Sequence, residues 1–597
     1  MLERVVGRMF RSATRSSQET RTEEKMGPSG NSGDDKAVPT QSPGDIEIDN
    51  SNHVLVKIAT LYAERLMNDI CLVVQGIEYP AHRLILCASS EVFQVMLMNP
   101  QWSESHLSRV ELKETPACAA IFGQFLRYFY TGQIRINHLT IMPVLALADK
   151  YNVKDLITLC VDYMCGHIAH AATHNQLISW FQYTLSLGHY QVAQACQNFV
   201  KWNLEIVAET SDFGNFHHEI LARLLQQNDL VVHNEMTVFR CVVRWLELQH
   251  EQLLQSCSSM QSDEGDAGCS SSCTDGCTDG CTDGCTSDSC SNQVAEEQNN
   301  MVEAQMEALV EQVMSHVRFP MMSPRQLAEL LMSPLTKKYK EFFIERMAIG
   351  MSFHSGHTDR IQQIVYASEG DTSSGREGEG RLLFTPRLYT ADNWSSLLTV
   401  ENFGALQAYH TRTLVFSSHA GLAECNGERS CEWVVDLYPK GVWFRKYFLI
   451  VWQGTVEVPE SVLRTVRLSI TCKDPPESED LRVKVGILIN GIQDGVEHVM
   501  SVMQRNHRFS EKEKVLNLDD ILAFDELNQV CSFPPSSSAS APSSSAPSSS
   551  TNKAAGEPSP YLVGPNRDIL KIHIIIAPLC EFSSIEPPDQ TLIVPTR

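Results

Sequence analysis

In two stretches, Val462 to Cys472 and Leu481 to Ile489, apolar residues recur at every second position: Val466, Leu468 and Ile470 in the first, Val483, Val485 and Ile487 in the second. Between Pro116 and Tyr130 they fall at three- and four-residue steps instead, at Ile121, Phe122, Phe125, Leu126 and Phe129. A period of two marks a half-buried strand, and a period near 3.6 marks a helix with one buried face. A chain that holds both patterns in separate regions is built from domains of different architecture. Its 597 residues require the same, because single hydrophobic cores rarely grow beyond about 250 residues.

Composition divides the chain further. Residues 1–50 are a polar arm, expected to be disordered. Residues 51–170 alternate short apolar strands with amphipathic helices, and residues 171–348 are helical. Residues 380–597 turn β-rich. Two low-complexity inserts interrupt this order. The first, at about 257–300, contains Cys-Thr-Asp-Gly three times, at 273–276, 277–280 and 281–284. It resembles a ligand array, but it lacks the longer separation and packed apolar residues of a structural zinc site, so a disordered simple repeat is expected. The second, a Ser/Pro/Ala tract at about 533–560, cannot bury apolar area. Strand-like Asp568-Ile-Leu-Lys-Ile-His-Ile-Ile-Ile-Ala-Pro-Leu579 follows it, so the tract is an insertion within a domain.

Charge and targeting signals exclude several classes. Acidic residues outnumber basic ones by 72 to 48, a net charge of −24, which disfavours a phosphate-binding surface and hence nucleic acid as partner. No run of 18 apolar residues exists, so no membrane span is expected. Arg4, Arg8, Arg11 and Arg15 interrupt the N-terminal apolar residues, unlike a secretory leader. Cysteines such as Cys87, Cys160 and Cys196 are scattered singly among apolar residues, as buried free thiols are. A cytoplasmic protein is expected. The minority reading is a secreted glycoprotein, for which Asn393-Trp394-Ser395 supplies a sequon at Asn393 and Cys425 and Cys431 a hairpin disulfide.

In the first region, Asp69–Val74 reads as a strand, Gly76 as a turn and Glu78-Tyr79-Pro80 as the returning strand. One helix is expected from Ala81 through Leu97 and another from Pro116 to Tyr130. A helical pair, His138–Lys150 and Val153–His167, breaks near Tyr151-Asn152. These residues resemble a BTB/POZ domain. The match runs through Asp69, Ala81-His82-Arg83, Leu86, Ser89-Ser90, Phe93, Val110-Glu111-Leu112, Phe125 to Gly132 and Leu147-Ala148-Asp149-Lys150-Tyr151. The resemblance implies an α/β module that assembles proteins and commonly forms a homodimer. Asp69 and Arg83 align with the charged pair of the family's dimer groove; the other reading is a buried ion pair that stabilises the fold. His82 reads as a hydrogen-bonded core histidine.

Leu224-Leu225, Asp229-Leu230, Glu235, Val238-Phe239, Trp245-Leu246, Val317-Arg318-Phe319-Pro320-Met321-Met322 and Leu327 resemble an all-α BACK domain. BTB–BACK pairs imply a platform for the N-terminal region of cullin-3. Some cullin-binding BTB domains carry a hydrophobic-x-Glu motif, and Trp102-Ser103-Glu104 fits it, with Trp where a smaller apolar residue is commoner. The other reading is a loop tryptophan packed against its own domain.

Further along, Trp433 to Leu437 followed by Tyr438-Pro439-Lys440-Gly441 resembles the TRAF/MATH family, and with the strand alternation it implies a C-terminal antiparallel β-sandwich that holds a peptide or protein target. Trp443, Phe444 and Trp452 are either an exposed aromatic surface or sandwich core. The expected fold is therefore multidomain α+β: an α/β BTB domain, an all-α BACK domain and a TRAF-like sandwich.

No catalytic pattern holds. His218-Glu219 opens like a zinc-protease helix, but Ala222 stands where the second histidine belongs. There is no GxSxG elbow and no phosphate-binding GxxxxGK[ST] loop. No catalytic residue, cofactor or metal ligand is expected. The function expected is a substrate adaptor of a cullin-3 ubiquitin ligase. The alternatives are a dimeric scaffold that meets no cullin, and the secreted glycoprotein.

Overall fold

The computed structural model describes residues 49–263, 287–369, 379–426, 429–442, 450–451, 454–455, 463–475, 480–528 and 558–583. Most of the polar arm, the Cys-Thr-Asp-Gly repeats, Trp443, Phe444, Trp452 and most of the Ser/Pro tract lie outside these residues. The chain divides into two compact units between Leu61 and Tyr62. The first holds most of the Ser51–Ala63 helix, which has no buried residue and exposes Val54, Leu55 and Val56.

The second unit opens with a three-stranded sheet. Ile70–Val74 pairs antiparallel with Ile77–Ala81 and parallel with Arg109–Leu112. The single helix expected from Ala81 to Leu97 is two helices, Arg83–Ser89 and Glu91–Met98. Ser90 breaks it. Its backbone is extended, its Oγ accepts the Phe93 N–H at 3.1 Å, and its hydroxyl donates to the Tyr151 carbonyl at 2.5 Å. A serine that satisfies the second helix as its N-cap cannot also continue the first. The Pro116–Thr131 helix starts on a Thr115 cap and ends at Gly132, whose φ of 63° is the left-handed region that glycine adopts freely. Phe122 and Phe125 are fully buried on its inner face, and Tyr151 stacks on Phe93 at 4.5 Å.

Helices then run from Ile141–Lys150 and Lys154–Gly166 to Thr358–Glu369. The expected loop at 257–300 is shorter than its composition suggests. One helix extends over Glu235–Asp263 and another begins at Ser287 and runs to Met314. Elongating an established helix costs little, so the largely polar residues at 257–263 and 287–300 continue helices that the buried face at Trp245 and Val310 anchors.

The last region is a sandwich of antiparallel sheets. One has the order Val515–Leu518, Arg467–Cys472, Ser430–Tyr438, Arg412–His419. In the other, Ile569–Pro578 lies between Leu481–Gln493 and Ser395–Val400, while Val496–Phe509 pairs with the far side of Leu481–Gln493. Inward residues of both sheets form one core: Trp433, Val435, Leu468 and Ile470 from the first, Val483, Val485, Ile572 and Ile574 from the second. Ile575 points the other way and is still buried. It packs with Val231, Leu388 and Leu488 beneath Trp202 of the helical region. The second face of that sheet is therefore covered, which is why the terminal strand reads as continuously apolar.

Candidate functional site

The residues expected to serve two separate roles in the first domain prove to be one assembly. The Arg83 guanidinium donates to the carbonyls of Leu97 and Ser105, both at 3.1 Å, and to that of Leu107. Those carbonyls flank the Trp102 loop on both sides, so Arg83 clamps it. Asp69 and Arg83 do not form the expected ion pair. Asp69 Oδ1 instead accepts the Arg83 backbone N–H at 2.8 Å, and among the described residues neither side chain makes a salt bridge. The physical reason is position: Asp69 is exposed and sits at the start of the Arg83–Ser89 helix, where free N–H groups attract a carboxylate, while three carbonyls occupy the guanidinium. His82 is half-buried, with Nδ1 3.0 Å from Tyr130 Oη and Nε2 2.7 Å from the Leu66 carbonyl.

The clamped loop presents Trp102 at 47% exposure, with the rest of its surface covered by its own domain. A 3-10 turn, Ser103–His106, follows, with Ser105 Oγ donating to the Trp102 carbonyl at 2.7 Å. Ser103 Oγ donates to Glu104 Oε2 at 2.8 Å and orients that carboxylate. Beside it, the Glu91–Met98 helix buries Phe93 and Leu97 and turns Val92, Val95 and Met98 outward at three-residue spacing. An exposed apolar stripe ending in an aromatic anchor and an oriented acid is a surface suited to docking a partner helix.

The joint between the helical region and the sandwich carries a second assembly. Glu235 Oε1 accepts the Arg318 N–H at 2.8 Å, Oε2 accepts Arg387 Nε at 3.0 Å, and Tyr389 Oη donates to Oε2 at 2.7 Å. Arg387 also donates to the carbonyls of Leu225, Gln227 and His316, and Arg318 to those of Thr385, Gln226 and Gln227. Burial by itself would raise the Glu235 carboxyl, but Arg387 and Arg318, with the Tyr389 hydroxyl, hold it below the ordinary range. Burial pushes the Arg318 guanidinium down to about 9 and Lys484 well below the usual ammonium range; Lys484 donates to the Pro386 and Asn228 carbonyls. Alongside, Val231–Val232 pairs in parallel with Leu388–Tyr389. Asn203 exchanges two hydrogen bonds with the Val499 backbone, as a strand neighbour would. The Asp494-Gly495 tip of a hairpin reaches the first helices: Gln493 bonds to Cys165, Gly166 and Ala169, and Asp494 Oδ2 lies 2.9 Å from His167 Nδ1.

Other expected positions resolve plainly. Asn393 is exposed at a turn, while Ser395 of the same sequon is buried and donates to the Ala391 carbonyl. The Cys425–Cys431 hairpin bridge is not formed. Cys431 lies on the inner face of its strand and shares a hydrogen bond with Cys472 of the next, whereas Cys425 is exposed and lies against Gly356. The strand alternation that buries Cys431 is the reason. Among the edge strands of the sandwich, Arg412–His419 pairs only with Ser430–Tyr438 among the described residues and exposes Val415, a candidate edge for a peptide. His138, His170 and His174 cluster near the junction of the first two domains, a grouping the sequence reading, which expected no metal ligand, missed. Its visible signal is the H-x3-H spacing of His170 and His174.

Comparison with known proteins matches three stretches: a BTB/POZ domain at 59–168, a BTB And C-terminal Kelch (BACK) domain at 177–260 and a BTBD17 TRAF domain at 384–580. BTB/POZ domain-containing protein 17 of Xenopus laevis is 23% identical over 362 residues, covering 60% of this chain and 61% of that protein. The Mus musculus protein of that name is 33% identical over 205 residues, 33% of this chain and 41% of that protein. Kelch repeat and BTB domain-containing protein 2 of Homo sapiens is 27% identical over 225 residues, 38% of this chain and 35% of its own. The chain spans about three fifths of the length of the first curated relatives it matches.

Proposed function

We propose that this chain, which carries BTB, BACK and TRAF domains in that order, is a non-enzymatic adaptor that recruits a target to a cullin-3 ubiquitin ligase. The observation that carries the reading is the Trp102 surface: Val92, Val95 and Met98 in a row, an exposed indole, and Glu104 oriented by Ser103 beside them. The apolar row supplies contact area, the indole an anchor and the acid a directional contact. The BACK helices extend that platform. Dimerisation through the BTB domain belongs to the same reading, supported by the unburied Val54, Leu55 and Val56 of the Ser51–Ala63 helix. A dimer would hold two sandwiches together and raise the effective concentration for a bivalent target. The target, a peptide or protein segment, adds a strand to the Arg412–His419 edge. A cytoplasmic setting fits thiols buried one by one, such as Cys160 and Cys196.

The test is binding of the full chain to a cullin-3 N-terminal fragment, with Trp102→Ala/Glu104→Ala as control. The expected result is a Kd of about 1 μM or tighter that weakens by roughly thirtyfold or more in the double variant, the dimer staying intact. No binding at tens of micromolar would overturn the ligase reading and leave a dimeric scaffold; binding that the variant leaves untouched would overturn the Trp102 surface as the contact.

A further inference from the structure

Three imidazoles meet near the junction of the BTB and BACK domains. His138 lies in the loop before the Ile141–Lys150 helix, His170 in the Ile168–Thr173 helix, and His174 just past its end. The ring centroids are 4.1 Å apart for His138 and His174, 4.0 Å for His170 and His174, and 5.1 Å for His138 and His170. From each ring one nitrogen lies within 4.8 Å of the other two. Residues four apart on a helix share a face, so the His170–His174 spacing presents both rings to one point, and His138 reaches that point from another element.

The hydrogen bonding suits ligation. His174 Nδ1 lies 2.9 Å from the His170 carbonyl, which takes its proton, and 3.1 Å from Thr173 Oγ1. That bond fixes the tautomer and leaves the Nε2 lone pair free, the arrangement in which a ligating histidine is held by a backbone carbonyl. Among the described residues, no hydrogen bond to a ring nitrogen of His138 or His170 accompanies it. His138 and His170 are half-buried and His174 is exposed, so the three rings are open to an ion from solvent.

We propose that His138, His170 and His174 form a zinc site with three protein ligands and an open fourth position. Imidazole nitrogen suits a borderline divalent metal, and zinc takes it in tetrahedral geometry at about 2.0–2.1 Å. Ligand nitrogens of a tetrahedral site stand about 3.3 Å apart, so the rings close on the ion by side-chain rotation and small shifts. The ion would tie the loop of the BTB domain to the short helix that leads into the BACK domain, one turn from the hairpin tip of the sandwich at Gln493 and Asp494.

The Cys-Thr-Asp-Gly repeats could also take up zinc, so the experiment separates nitrogen from sulfur ligands. The full reduced chain, freed of metal with a chelator, is titrated with Co2+ and, separately, with Zn2+ under equilibrium dialysis. Wild type should hold one equivalent that shows tetrahedral d–d absorption without a thiolate charge-transfer band, beyond any thiolate-bound metal. His170→Ala/His174→Ala should lose that equivalent, with affinity at least a hundredfold weaker. His138→Gln, a loop substitution, carries the same comparison should the helix variant not fold. Zinc should raise the melting temperature of wild type and leave that of His138→Gln unmoved, the two melting alike in chelator. Equal stoichiometry and an identical cobalt spectrum in wild type and variant would overturn the proposal, as would cobalt spectra showing thiolate ligation only.

Discussion

Replacing Arg387 with Met tests whether the buried joint between the BACK and TRAF domains is held by charge pairing. The guanidinium is wholly buried and serves Glu235 and three backbone carbonyls, those of Leu225, Gln227 and His316. Met replaces the aliphatic stem of Arg and carries no donor. The Glu235 carboxylate would stay buried with the Arg318 N–H and the Tyr389 hydroxyl as its remaining direct donors. Removing one partner of a buried pair costs about 3–5 kcal/mol, chiefly because the other charge is left uncompensated. At about 2 °C per kcal/mol for a unit of this size, the melting temperature should fall by roughly 6–10 °C. Glu235→Gln on the Arg387→Met background removes the stranded charge and should restore part of the loss. The measurement is thermal and urea unfolding of the full chain, followed by circular dichroism and by indole fluorescence, for both single variants and the double. A pH series adds a sign. The folded Glu235 pKa is lowered, so its contribution is full above the unfolded carboxyl value and is lost as pH falls from about 4.5 through the folded value. The wild type should therefore lose more stability on acidification than Arg387→Met does. An Arg387→Met cost under about 1 kcal/mol, or a double variant as unstable as the two single losses summed, would refute the reasoning.

Arg83→Gln should loosen the Trp102 loop and weaken cullin-fragment binding several-fold while leaving the dimer intact, read by calorimetry and sedimentation. Gly441→Ala should destabilise the sandwich by about 2 kcal/mol or more, since the position has a φ of 90° and an added Cβ would lie 2.5 Å from the Leu463 carbonyl oxygen; thermal unfolding checks it. Asn203→Ala should cost about 1–3 kcal/mol and speed amide exchange at Val499, whose N–H and carbonyl it satisfies, measured by hydrogen exchange.

Much of this molecule is written locally. Thr115-Pro116 starts a helix and Gly132 ends it because cap and turn chemistry act over a few residues, and the two-residue period at 466–470 and 483–487 marks strands because neighbouring side chains must face opposite ways. The motifs also include residues to which the fold gives buried or long-range hydrogen bonds, Arg83, Glu235 and Arg318 among them. Their partners were not legible. Arg83 clamps carbonyls 14 to 24 residues away and leaves Asp69 to the backbone; Glu235 pairs with Arg387, 152 residues on. The His138 cluster escaped notice because its third member comes from a loop that only folding brings to the H-x3-H pair. Ser90 shows a conflict settled by tertiary contact: local pattern runs through it as helix, and its bond to the Tyr151 carbonyl turns it into a cap. The continuous apolar run at 574–576 announces a strand buried on both faces, while what covers the second face, Val231 and Trp202 of the helical domain, depends on chain elements more than 300 residues away. Sequence alone determined element type and the inward side of each element, because those follow from backbone geometry and the period of burial. Tertiary structure decided which charge meets which and which domain seals which sheet, because desolvated groups take the partners that the packed chain places within reach.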